Sequence, residues 1–213
     1  MMQDAPPKVV MVQDEPRHHQ VFHDGPVRIL DVQLPPGDVS LFHTHNTAIL
    51  YVPISLSPTD TQILGQEWLG VKPTDRSRFE GLVVATDTSY ASMPLTHRVR
   101  NVGTGLFRLM AITNASNPGR ESASKPPGKA IHSSHWYDAS EFVISPGTTS
   151  EWHTAVAPTV IVQPGDGRTR VEVGSEPKAL RTRGAWVFVP AGSRFRIGSE
   201  EGQARVVIVQ VNQ

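Results

Sequence analysis

Short apolar runs alternate with turn-forming residues along the whole chain. Residues 9–12 are apolar, and Pro16 with the polar stretch Arg17, His18, His19 and Gln20 follows them. Residues 27–34 alternate as a half-buried strand does. The segment Pro35-Pro36-Gly37-Asp38 interrupts that pattern as a turn. Strands are predicted over 39–45 and 48–54, with weaker candidates at 62–69 and 82–85. Residues 98–102 and 107–112 are predicted to pair as a hairpin over Gly103-Thr104-Gly105. From 114 to 129 the chain turns polar and rich in proline and glycine, as a linker does. Apolar runs resume at 141–144, 159–162, 170–173, 185–189 and 205–211. No stretch sustains a helical period, and 18 prolines oppose long helices. The pattern predicts an all-β barrel or sandwich.

The two sides of the linker resemble each other. Pro36-Gly37, five residues, then His43-Thr44 matches Pro146-Gly147, five residues, then His153-Thr154. Ala155 stands where the first copy has His45. Phe195, after Pro190-Ala191-Gly192, stands about where His97 belongs. The expected layout is one unit over 1–115, a linker over 116–129 and a second, degenerate unit over 130–213.

Composition narrows the function. Lys plus Arg and Asp plus Glu are 20 each, so no basic excess invites nucleic acid. Cysteine is absent, which removes disulfides and thiolate ligands. No apolar run reaches a membrane span, and no leader is visible. The polar start would also suit a chain whose leader has been removed. Cytoplasm and periplasm or secretion therefore both stay open.

The chemistry concentrates in Gly37-Asp38-Val39-Ser40-Leu41-Phe42-His43-Thr44-His45. Residues two apart on a strand face the same way, so His43 and His45 form a pair on one side. A third ligand must come from another strand, and His97 in Pro94-Leu95-Thr96-His97 is the candidate. Three neutral imidazoles suit one divalent Fe, Ni, Cu, Zn or Mn ion. No carboxylate follows His45 in Asn46-Thr47-Ala48-Ile49-Leu50. The ion's charge would stay uncompensated, which favours a small anionic or chelating substrate. Metal affinity is expected to fall as pH drops through about 6.5, the ordinary histidine range. Ile49, Leu50 and Tyr51 are pocket-wall candidates, with core packing the plainer reading of the first two. Asn101 would orient the site by hydrogen bonding or simply hold a turn. His18, His19, His23, His132 and His135 read as surface histidines, and His153 as a relic. The four tryptophans read as core or interface residues, and Arg98 and Arg100 as outward-facing. No acidic or imidazole side chain near the motif stands out as a general base.

Gly37-x5-His43-x-His45 resembles the first cupin motif, and Pro94-x2-His97-x3-Asn101 resembles the second. The chain as a whole resembles a bicupin of the RmlC-like superfamily. The family's usual glutamate after the second histidine is missing, and so is the usual glycine before His97. The resemblance implies two jelly-roll barrels in tandem, the first holding metal on His43, His45 and His97. It also implies a homodimer. Three-histidine sites resemble those of cupin dioxygenases, which places iron first among the metals. The functions left open are a metal-dependent oxidoreductase of dioxygenase type, a metal-dependent isomerase or lyase, and a non-enzymatic binder of small molecules.

Overall fold

In a computed structural model, residues 6–117 and 124–213 are described. The first half carries β1 (Val9–Met11), β2 (His18–Asp24), β3 (Val27–Leu34), β4 (Phe42–His45), β5 (Ala48–Ser55), β6 (Thr59–Ile63), β7 (Ala85–Asp87), β8 (Leu95–Asn101) and β9 (Phe107–Asn114). The second half carries β10 (Lys129–Ser133), β11 (Tyr137–Ile144), β12 (His153–Thr154), β13 (Thr159–Val162), β14 (Arg168–Val173), β15 (Glu176–Leu180), β16 (Trp186–Val189), β17 (Arg194–Glu201) and β18 (Ala204–Val211). Two three-residue 3-10 turns, 12–14 and 89–91, are the helical content of the described residues. The all-β expectation holds.

Each half is a pair of sheets. In the first, an outer sheet of order β1-β4-β8-β6 faces an inner sheet of order β2-β3-β9-β5-β7. In the second, β12-β17-β14-β15 faces β10-β11-β18-β13-β16. The central strands of the inner sheets, β5 and β9 among them, are buried on both faces, which explains why residues 48–52 run Ala-Ile-Leu-Tyr-Val without a polar break. Leu30, Ile49 and Tyr51 point into the first barrel with Phe79 and Leu109. Ile29, Leu50, Met110 and Ile112 point the other way and pack on Tyr137, Val160, Val207 and Val209 of the second half. A separate core fills the second barrel around Ile161, Val171, Phe195 and Ile208.

The repeat is visible in the backbone. Gly37 and Gly147 both take positive φ, 76° and 67°, in turns closed from Pro35 O to Asp38 N–H and from Ser145 O to Thr148 N–H. Each turn leads into the short strand that carries the histidine.

Two expectations fail here. Residues 98–102 and 107–112 do not form a hairpin. β8 pairs with β4 and β6, whereas β9 pairs with β3 and β5. The loop between them carries the chain from the outer sheet to the inner one. Asn101 pins that crossing: its side-chain N–H groups donate to Leu34 O and Gly105 O, and its carbonyl accepts from Ser57 Oγ and Gly103 N. The physical reason lies in β9, whose residues are buried on both faces, so it needs strand partners on both edges. The polar stretch that begins at Arg17 leads into an edge strand, residues 18–24, which pairs with β3. The weak candidate at 82–85 shifts to 85–87.

Candidate metal centre

β4 and β8 run antiparallel with His43 directly opposite His97, Thr44 opposite Thr96 and His45 opposite Leu95. Opposed residues share a face, and so do residues two apart. That register alone puts three imidazoles on the inner face of the outer sheet. The Thr44 and Thr96 hydroxyls bond to each other at 2.8 Å and lock the register. Arg98 and Arg100 take the opposite face of β8. They stack on Trp68 at 4.9 and 4.2 Å, and Arg100 pairs with Asp60 at 2.7 Å.

The three rings converge. One ligand nitrogen from each of His43, His45 and His97 lies within 4.8 Å of the others. Nε2 of His45 faces Nε2 of His97 at 3.0 Å. Two imidazoles bound at about 2.1 Å to one ion and at right angles would stand about 3 Å apart, so the spacing fits an ion between them. Nδ1–H of His43 donates to Leu41 O at 2.9 Å. A carbonyl only accepts, so the proton sits on Nδ1 and Nε2 keeps its lone pair. The donor set is all imidazole nitrogen, which suits a borderline transition metal.

Burial keeps these rings neutral. Desolvation lowers His43 to about 4 and, with the neighbouring His43 charge, lowers His97 to about 3. His45 is pushed well below its ordinary value for the same leading reason. The expected loss of metal near pH 6.5 is therefore displaced to lower pH, because the folded imidazoles resist protonation.

The sequence reading missed a fourth histidine. His18 is buried, contrary to its reading as a surface residue. It lies on the edge strand β2, and its Nδ1–H donates to Val12 O at 3.0 Å. Its ring stands edge-on to His43 with centroids 4.5 Å apart. Burial, followed by the His43 charge, pushes it well below the ordinary histidine value. Behind it the buried carboxylate of Glu15 accepts Arg17 N–H and Leu41 N–H. Glu15 thus holds the N–H of Leu41, the residue whose carbonyl orients His43. The sequence carried no signal for His18; in the structure its neighbour Arg17 clamps Asp38 of the motif turn through two hydrogen bonds.

The cavity in front of the rings is narrow and apolar. Ile49, Tyr51, Phe79, Phe107 and Leu109 line it with the four histidines. Its free volume of about 50 Å³ equals room for a few waters. Among the described residues no carboxylate lines it. Of the pocket-wall candidates Ile49 and Tyr51 line the cavity and Leu50 packs in the core shared with the second half, while Asn101 belongs to the crossover and does not line the cavity. Tyr90 adds a second ring against His45 at 4.9 Å, a contact the sequence did not signal.

The second barrel repeats the geometry without the ligands. His153 lies opposite Phe195, as His43 lies opposite His97, and Ala155 is buried in the place of His45. Nε2 of His153 is buried without a hydrogen-bond partner.

Neither a protein-family model nor a curated protein sequence matches this chain. Solved structures do. AerE from Microcystis aeruginosa superposes with a TM-score of 0.64 at 11% identity, over 90% of this chain and 90% of that one. A cupin 2 conserved barrel domain protein from Leptotrichia buccalis gives 0.57 at 12%, over 91% and 87%. The chain has the cupin fold, as two barrels in tandem. Salicylate 1,2-dioxygenase from Pseudaminobacter salicylatoxidans gives 0.59 at 11% identity, over 87% of this chain and 71% of that one. At such identities the likeness carries the cupin fold and not the chemistry.

Proposed function

We propose that this protein is a metal-dependent bicupin of the RmlC-like superfamily, and an oxidoreductase of dioxygenase type acting on a small anionic or chelating substrate. The observation that carries the reading is the convergence of three buried, neutral imidazoles at the end of a narrow apolar cavity. His43, His45 and His97 would hold one divalent ion, with iron first among the choices. When bound, that ion supplies Lewis-acid and, for a redox-active metal, one-electron chemistry. The chain's own contribution is orientation and dryness. Leu41 fixes the His43 tautomer, Glu15 fixes Leu41, and the apolar wall excludes bulk water. The fold shared with a structure described as a salicylate 1,2-dioxygenase supports the oxygenase choice.

One observation favours a second reading, a metal-dependent isomerase or lyase. His18 is a buried imidazole beside His43 on the cavity wall, where a general base would stand. The deciding experiment has two steps. Metal content of tag-free protein should be one ion per chain, and a metal-free protein after loading attempts would sink both readings. An oxygen electrode then follows the iron-loaded protein with a panel of small carboxylates. Oxygen uptake selects the dioxygenase, and product without uptake selects the isomerase or lyase. We also expect a homodimer, which light scattering tests.

A further inference from the structure

We propose that Arg78 is the anion anchor of the cavity, binding the carboxylate of a small, otherwise apolar monocarboxylate at the mouth while the histidine cluster faces its other end. Among the described residues Arg78 is the one permanently charged side chain lining the cavity. It also lines the shallow vestibule outside, with Phe79, Ala85, Thr86 and Asp87, so it stands where the two spaces meet. Its guanidinium lies over the Phe79 ring at 4.5 Å and 5.9 Å from the Tyr51 ring. Stacking holds the plane of the fork, and its N–H groups, which also approach the Tyr51 hydroxyl, are placed at the cavity wall. The nearest carboxylate, Asp87, is 3.8 Å away, an ion pair longer than a hydrogen bond. The Arg78 charge is also felt at His45 and His97, so anchor and cluster share one electrostatic space.

Charge balance points the same way. A divalent ion on three neutral imidazoles, beside a guanidinium and with no carboxylate in the lining, leaves the cavity strongly positive. One anionic group on the ligand offsets it best when it reaches Arg78 with two parallel hydrogen bonds. The remaining wall offers aliphatic and aromatic carbon, and the small volume excludes a sugar nucleotide or a peptide. The ligand class is therefore a compact monocarboxylate with a short aliphatic body.

This assignment rests on the function proposed above, and its test separates the two. Acetate, propionate and isobutyrate, each beside its neutral amide, are titrated calorimetrically into metal-loaded and metal-free protein. At least one acid should bind tenfold or more tighter than its amide, in the range expected for a charge-assisted pair. That preference should persist without metal, collapse in Arg78→Gln and survive in part in Arg78→Lys, with melting temperatures unchanged. Equal binding of acids and amides, or no binding of any, overturns the anchor. A preference that needs the metal and ignores Arg78→Gln also overturns it, while leaving the metal-dependent reading intact. Failure to load metal, with the Arg78 preference present in the metal-free protein, sinks that reading and spares the anchor.

Discussion

Nε2 of His45 and Nε2 of His97 face each other at 3.0 Å although 52 residues separate them in the chain. In the metal-free protein one neutral ring can donate its Nε2–H to the other's Nε2 at this distance. An ion bound to both nitrogens would take the place of that hydrogen bond, and desolvation keeps the rings in the neutral form a metal needs. Replacing His45 with Ala should abolish stoichiometric metal, because His43 and His97 remain as two ligands on separate strands. Fold stability should barely change, since Ala155 fills the matching place in the second barrel. Elemental analysis and the melting temperatures of both metal-free proteins decide it. Equal metal in the two would show that the ion sits elsewhere.

His18 makes a different prediction. Its Nδ1–H is committed to Val12 O, and it stands outside the group of three convergent nitrogens. His18→Ala should keep one ion per chain but lower stability by about 1–3 kcal/mol, since a buried carbonyl loses its donor. Metal titration with a chromogenic chelator tests the first part and urea denaturation the second. Loss of stoichiometry would make His18 a ligand.

The depressed histidines fix the sign of a pH effect in the metal-free protein. An unfolded histidine takes up its proton near about 6.5. Folded His43 resists until about 4 and folded His97 until about 3, mainly through desolvation. Between those values the unfolded chain binds more protons than the native one, so stability falls as pH drops. Above about 6.5 both states are neutral there, and these rings add no slope. The loss should accumulate from about pH 6.5 toward pH 3, on the order of 3 kcal/mol for His43 alone. Urea midpoints across that range, with and without His43→Ala, measure it. A flat difference between the two proteins would remove the assignment.

Much of this site could be read before folding. His43, His45 and His97 announce themselves because strand periodicity is two and the Pro-Gly turn repeats. The loss of ligands in the second half was legible from Ala155 and Phe195, and β12 pairs with β17 in the same register as β4 with β8. His18 was not legible. It sits next to His19 in a polar run, and only the pairing of β2 with β3 decides which of the two turns inward. The false hairpin has a related cause. Two strands joined by a glycine-rich turn look alike whether they pair or separate to facing sheets, and here burial on both sides of β9 makes them separate. Arg78 escaped because its loop has no period at all.

The last prediction concerns how the two barrels depend on each other. The Tyr137 hydroxyl, fully buried, lies 2.9 Å from both the Ala48 and Ile112 carbonyl oxygens across the join. Burial pushes its pKa well above the phenolic range, so it remains a donor at any pH the protein tolerates. Around it Leu50, Val52, Met110, Val160, Val207 and Val209 form one apolar cluster drawn from both halves. Exposing that cluster would cost either barrel its inner-sheet cover, so neither should melt alone. Calorimetry should show a single transition for the wild type. Tyr137→Phe keeps the ring and removes the donor, which should cost about 1–3 kcal/mol and about 2–12 °C in Tm for a chain of this length. The transition should stay single, because the apolar cluster is untouched. Two resolved transitions in the wild type would show that the shared cluster does not couple the barrels.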